Sequence, residues 1–177
     1  TTEIYTLSLH DALPILCSKG HAGPAVYATL AAKGYFPTAW LDTLNEGGTN
    51  LPSHCDMNKT PGVDFTTGSL GQGSSAAVGI ALGQKLLGQK ARTFLIIGDG
   101  ESQEGQIWEA AETAAQWKLG NLIAFTDFNR QQLDGYTEDI VGMENIDTRW
   151  LGFNWHVQRI NGHDSISSTM PSRPRKR

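Results

Sequence analysis

The sequence predicts an α/β fold in three layers, a mostly parallel sheet flanked by helices, and three observations predict it. The β-branched and apolar run Thr93-Phe94-Leu95-Ile96-Ile97 stops at Gly98, and its continuity fits a strand covered on both faces. Gln103 to Lys118 follows with helical character and ends at Gly120. Asn121 to Asp127 then gives a second strand. Strand, helix and strand in that order make a βαβ unit, normally right-handed with parallel strands.

The remaining elements follow from local signals. Gly23-Pro24 opens a helix through Leu30, with proline suited to the first turn and Gly34 to the end. Thr38 caps a second short helix carrying Trp40, Leu41 and Leu44. Residues 45–64 read as loop, because Gly47-Gly48, Pro52 and Pro61-Gly62 break any period. Ser74 begins a helix of small residues from Ala76 to Leu87, which lets neighbouring backbone or a ligand pack closely. Trp155 to Ile160 is expected to form a third strand, with His156 alternating along it. Trp108, Trp117, Trp150 and Trp155 are expected in core or interface packing.

Bulk properties narrow the class. A chain of 177 residues suits one domain with a real core. Its 39% apolar and 18% charged residues are those of an ordinary globular protein. The net charge of −4 gives no reason to expect nucleic acid or a membrane surface as partner. No apolar run approaches the roughly 20 residues needed to cross a bilayer. Cys17 and Cys55 have no paired spacing, which argues against a disulfide scaffold or zinc site and fits a reducing cytoplasm.

Chemistry is expected where the glycines cluster, at Gly68, Gly71 and Gly73 and again at Gly98, Gly100 and Gly105. Gly98-Asp99-Gly100 sits at the exit of the first strand, and Asn129 just past the second. Open parallel sheets bind ligands beyond the carboxyl ends of their strands. Neighbouring strands lie about 4.8 Å apart, so Asp99 and Asn129 can converge on one ion. A carboxylate and an amide oxygen are hard ligands that suit Mg2+ or Ca2+ with positions left for phosphate oxygens. The two commoner phosphate patterns fail: the glycine spacing is not that of a dinucleotide fingerprint, and no Gly-Lys-Ser/Thr follows either cluster. Taken alone, each glycine cluster also fits a plain turn into a helix.

Gly98-Asp99-Gly100 with Asn129 stands among further motifs in order. These are Ser18-Lys19-Gly20-His21-Ala22, Met57-Asn58-Lys59-Thr60-Pro61-Gly62-Val63-Asp64 and Thr67-Gly68-Ser69-Leu70-Gly71-Gln72-Gly73. Gln103-Glu104-Gly105-Gln106-Ile107-Trp108-Glu109-Ala110-Ala111, Leu133-Asp134-Gly135 and Gly162-His163-Asp164 follow. Over residues 18–164 the pattern resembles the transketolase family, specifically the amino-terminal, thiamine-diphosphate-binding subunit of its split type.

That resemblance implies roles for particular residues. Asp99 and Asn129 would hold the divalent ion, with the main-chain carbonyl of Gln131 as a third protein ligand. Gly100 would lie against the diphosphate, while Gly68 and Leu70 match a segment that approaches the aminopyrimidine and thiazolium. His21 matches a histidine near the diphosphate and substrate channel. His54 matches one near the reacting carbon that contacts donor-sugar hydroxyls. Around His54 the family usually has a preceding glycine and a following proline, where Ser53 and Cys55 stand here; Cys55 is read as a neutral substitution. Glu104 would join a carboxylate network linking two cofactor sites across a dimer, and His163 would be structural.

The resemblance also implies a function: transfer of a two-carbon ketol unit between sugar phosphates, in the cytoplasm and in the pentose phosphate pathway. It requires a pyrimidine-binding subunit or domain as partner, in a homo- or hetero-oligomer, since the glutamate that activates thiamine diphosphate lies there. The chain alone is not expected to be active. Residues 1–17 are expected to be a leader foreign to the family, Leu7 to Ile15 resembling translated sequencing-adapter read-through. Residues 18–164 would be the cofactor domain and 165–177 a basic tail, disordered or artefactual. A complete subunit of this kind has roughly 250–300 residues, above one average domain, so the chain is expected to be truncated or frame-shifted after Asp164. Two alternatives stand beside this function. One is an inert or merely cofactor-binding fragment; the other is a different thiamine-diphosphate enzyme, such as a deoxyxylulose-phosphate synthase or a dehydrogenase first component.

Overall fold

A computed structural model of the protein describes residues 14–143 and 145–163. The expectations for leader residues 1–13, for Asp164 and for the basic tail lie outside the described residues. The chain divides into two compact units on either side of residues 144 and 145.

The first unit is built on three parallel strands in the spatial order β1-β2-β3: β1 Ile15–Cys17, β2 Thr93–Gly98 and β3 Leu122–Asp127. Phe94 pairs with both Ile15 and Ile123, and Gly98 pairs with Asp127, so β2 is central and two strand ends finish level. β1 is absent from the sequence-based expectation because three residues carry no alternation to detect. Its partner defines it: Phe94 donates its N–H to the Pro14 carbonyl at 2.8 Å, and Ser18 donates to Ile96 at 2.8 Å.

Helix α1 (Gly23–Ala32) starts as its glycine-proline pair predicts. The expected second helix is a 3-10 turn over Thr38–Thr43. Together they enclose an apolar cluster of Tyr27, Ala31, Phe36, Leu51 and Cys55, with the Trp40 ring stacked on Phe36 at 5.3 Å. Leu51 and Cys55 come from the loop, which contains neither helix nor strand, as expected.

Helix α2 (Gln72–Leu86) starts two residues before the expected Ser74. Gly71, with φ +84°, makes the left-handed turn that launches it, and the Ser74 hydroxyl bonds back to the Gly71 carbonyl. Ala77 and Ala81 are fully buried, and their small side chains bring the helix close to the sheet. Thr93 Oγ1 donates to Gln84 Oε1 at 2.9 Å, so Thr93, Leu95 and Ile97 form the sheet face under α2. The opposite face is less covered than a continuous apolar run suggests: Phe94 and Ile96 are half-buried, and Phe94 stacks beside the exposed Phe125.

Helix α3 (Gly105–Gln116) follows a 3-10 turn over Glu101–Gln103 and packs against α2. It begins two residues after the expected start because the tighter turn takes up that stretch. Trp108 donates its indole N–H to the Ser102 carbonyl at 2.9 Å, whereas Trp117 stands half-exposed and is not a core residue. Past β3, a two-residue hairpin of β4 (Gln131–Gln132) and β5 (Gly135–Tyr136) leads into the single turn α4 (Thr137–Ile140).

The second unit contains α5 (Ile146–Gly152). The strand expected over Trp155 to Ile160 does not form among the described residues. Its alternation has another origin: the Trp155 N–H caps α5 by donating to the Trp150 carbonyl at 3.2 Å, and its ring packs edge-on against Trp150 at 4.8 Å. Trp150 is buried, as expected. His156 contacts Gln158 at 2.9 Å, and the His163 N–H donates to the Asn161 side chain in an exposed turn.

Candidate functional site at the carboxyl ends of the strands

Each parallel strand delivers a loop to the same edge of the sheet, and hydrogen bonds tie these loops together. At the end of β2, Asp99 is only 1% exposed. Its Oδ1 accepts the Gly100 N–H at 2.8 Å and its Oδ2 accepts the Arg130 N–H at 2.6 Å. Arg130 lies between Asn129 and Gln131, so the loop after β3 is fastened directly onto the Asp99 carboxylate. From the other side, the Asp99 N–H donates to the Asp127 carbonyl at 3.2 Å.

Asn129 is exposed, and its amide is oriented at both ends. Its Nδ2 donates to Asp127 Oδ2 at 3.2 Å, and its Oδ1 accepts the Gln131 N–H at 2.8 Å. Gly100 faces the same loop: a Cβ there would lie 2.9 Å from the Gln132 Cβ. Asp99, Gly100, Asn129 and Gln131 therefore share one small region.

Whether these groups suit a divalent cation follows from their valences. Asp99 is a buried carboxylate that no ion pair among the described residues reaches. A buried carboxylate with only main-chain partners gains strongly from a nearby cation. Each of its oxygens, and Asn129 Oδ1, uses one acceptor site and retains another. Carboxylate, amide and main-chain oxygens are the hard donors that Mg2+ and Ca2+ take. The residues fit such an ion.

The second group of expected residues gathers on the loop that enters α2. A Cβ on Gly20 would lie 2.7 Å from the Gly68 nitrogen, so the loops after β1 and before α2 touch backbone to backbone. A Cβ on Gly68 would meet the His54 Cδ2 at 3.3 Å, which puts the His54 ring against Gly68. His21, in the 3-10 turn Gly20–Ala22, has its pKa lowered, first by desolvation and then by the Lys19 ammonium. His54 adds to that depression, so both histidines belong to one electrostatic neighbourhood. At neutral pH His21 is an uncharged imidazole able to donate and accept. Glu104 is the exposed N-cap position of α3 and lies against Gly71, while Leu70 also presents an exposed side chain.

Comparison with known proteins adds to this geometry. Residues 14–171 match the family model for the transketolase thiamine diphosphate binding domain. The chain belongs to the transketolase family. It is 58% identical over 151 residues to the 6-deoxy-6-sulfo-D-fructose transketolase subunit SqwG of Clostridium sp., covering 85% of this chain and 55% of that protein. It is 44% identical over 157 residues to an apulose-4-phosphate transketolase subunit of Actinobacillus succinogenes, covering 88% and 57%. Among solved structures, the transketolase of Campylobacter jejuni superposes with a TM-score of 0.77 at 33% identity, covering 85% of this chain and 25% of that one. The chain spans a little over half the length of these two curated relatives.

Within this transketolase domain the structure adds residues that sequence reasoning left without a role. Glu101 is 2% exposed and grips three segments at once. Its Oε1 accepts the Ser18 hydroxyl and the Gly71 N–H at 2.8 Å, and its Oε2 accepts the Gly98 N–H at 3.1 Å. Lys19 reaches across to Asp127, Nζ to Oδ2, at 2.7 Å. A glutamate directly after Gly98-Asp99-Gly100 and a lysine before Gly20-His21 are visible in the sequence. Glu101 reaches Ser18 over 83 residues and Lys19 reaches Asp127 over 108, distances that no local pattern encodes.

Cys55 lies in the apolar cluster with its thiol pKa raised, chiefly by burial. Burial likewise pushes Cys17 up to about 11. Both are protonated near neutral pH, which gives Cys55 no nucleophilic character.

Proposed function

We propose that this domain holds the diphosphate end of thiamine diphosphate through a divalent cation and serves as one half of a split transketolase. The observation that carries the proposal is the 2.6 Å bond from the Arg130 N–H to Asp99 Oδ2, which joins the ends of adjacent strands into one oxygen-lined site. Asp99, Asn129 and the Gln131 carbonyl hold the cation, Mg2+ or Ca2+, and Gly100 lies against the diphosphate. Gly68 and Leu70 approach the rings. When bound, the cofactor supplies a thiazolium carbanion able to add to a ketose carbonyl and to store its electrons.

This chain's own residues anchor, orient and exchange protons. His21, neutral at physiological pH, offers a donor and an acceptor beside the diphosphate and the substrate path. The His54 imidazole, against Gly68, is placed to hydrogen-bond hydroxyls of the donor sugar. Glu104 at the start of α3 contributes a carboxylate toward a second protomer. The site is completed by a pyrimidine-binding partner, in line with relatives named as subunits. The named relatives point to ketoses with an anionic terminal group, sulfonate or phosphate, as substrates. The cytoplasm is the proposed location, where free Cys17 and Cys55 stay reduced.

The test is reconstitution. The chain mixed with a pyrimidine-domain subunit, thiamine diphosphate and Mg2+ is expected to consume xylulose-5-phosphate in the presence of an aldose phosphate. Cofactor retention without turnover of any phosphorylated or sulfonated ketose supports a binding-only domain instead.

A further inference from the structure

The ion pair between Lys19 and Asp127 stands beside the proposed cation site without belonging to it. The Lys19 side chain is 11% exposed, and the Asp127 side chain is 49% exposed. An ammonium this enclosed is held in one geometry, and so is the carboxylate oxygen it meets at 2.7 Å. That same oxygen, Oδ2, also accepts the Asn129 Nδ2–H at 3.2 Å. The two ends of a side-chain amide are nearly equal in size and opposite in polarity. An amide next to a cation must present oxygen, never its NH2 group. A carboxylate partner accepts hydrogen bonds only, so it selects the NH2 end and turns the oxygen the other way. The Gln131 N–H, at 2.8 Å from Oδ1, enforces the same orientation from the opposite end.

We infer that Asp127, fixed by Lys19, is a positioning residue that sets the amide orientation of Asn129 so that Oδ1 serves the cation. This rests on the cation site described under the proposed function. It assigns Asp127 a hydrogen-bonding task distinct from adding negative charge near the ion, and the two tasks respond differently to substitution. Asparagine at 127 keeps an oxygen acceptor for Asn129 Nδ2 but carries no charge. Alanine removes both.

The experiment is calorimetric titration of Mg2+ into the full chain at saturating thiamine diphosphate, with melting temperatures recorded for each variant without ligands. Partners that orient a metal ligand typically contribute about 10–100-fold in metal affinity. Asp127→Ala is therefore expected to raise the Mg2+ Kd by about tenfold or more, while Asp127→Asn stays within about threefold of the parent. Lys19→Met, which frees the carboxylate to turn away, is expected to weaken Mg2+ as well. Equal losses for Asp127→Ala and Asp127→Asn, or tighter Mg2+ binding in Lys19→Met, overturn the positioning role, because both mark a purely coulombic effect. An Asp127→Ala chain whose ligand-free melting temperature falls as much as its affinity is decided by the asparagine variant. A parent chain with no metal-dependent cofactor binding overturns the cation site itself, and this inference with it.

Discussion

The ends of β2 and β3 finish level in the sheet yet are built in opposite ways. After β2, Asp99 and Glu101 are almost fully buried, and among the described residues all but one of the hydrogen-bond donors to their carboxylates are main-chain N–H groups. After β3, Asp127 and Asn129 are open to solvent; Asp127 Oδ2 meets side-chain donors from Lys19 and Asn129, and Asn129 takes one main-chain N–H besides, from Gln131. Main-chain donors are fixed once the fold forms, so the β2 end is rigid by construction. The β3 end is held by an ion pair and an amide, which can be altered without disturbing the sheet. One edge of the site is architecture, and the other is adjustable.

Substitutions can break that contrast. The largest stability loss is expected for Glu101→Ala, which strands the Gly71 and Gly98 N–H groups in the interior. Each buried unpaired donor costs roughly 1–3 kcal/mol, so a loss of about 3 kcal/mol is expected in urea unfolding. Gly20→Ala comes next, because its Cβ would sit 2.7 Å from the Gly68 nitrogen, a main-chain atom that cannot swing aside. Forced overpacking of this kind costs about 2 kcal/mol, again read from the unfolding midpoint. If Gly20→Ala is neutral, the loops after β1 and before α2 are not rigid, and the contrast between the two edges weakens.

How much of this was legible in the sequence depends on how local each signal is. Strands β2 and β3, helices α1 to α3 and the Gly98-Asp99-Gly100 turn are written in contiguous residues and were readable. β1 was not, because Ile15–Cys17 is a strand only by virtue of Phe94, Leu95 and Ile96 beside it. Trp155 to Ile160 misled for the converse reason, since alternation specifies a strand only where a neighbour exists to pair with it. Within the site, Asp99 and Asn129 could be named from their place after successive strands. Glu101, Lys19 and Asp127 could not, because their roles arise only when the strands align.

The central claim is that the level ends of β2 and β3 share a divalent cation that holds a diphosphate. Thiamine diphosphate titrated into the chain with Mg2+, and again with a chelator, tests it most directly when paired with Asn129→Ala. That variant removes an exposed side chain and is expected to keep its stability within about 0.5 kcal/mol of the parent. The account predicts binding to the parent only when Mg2+ is present, and no such binding to Asn129→Ala. Binding indifferent to the ion, or unchanged by loss of the Asn129 amide, would contradict it.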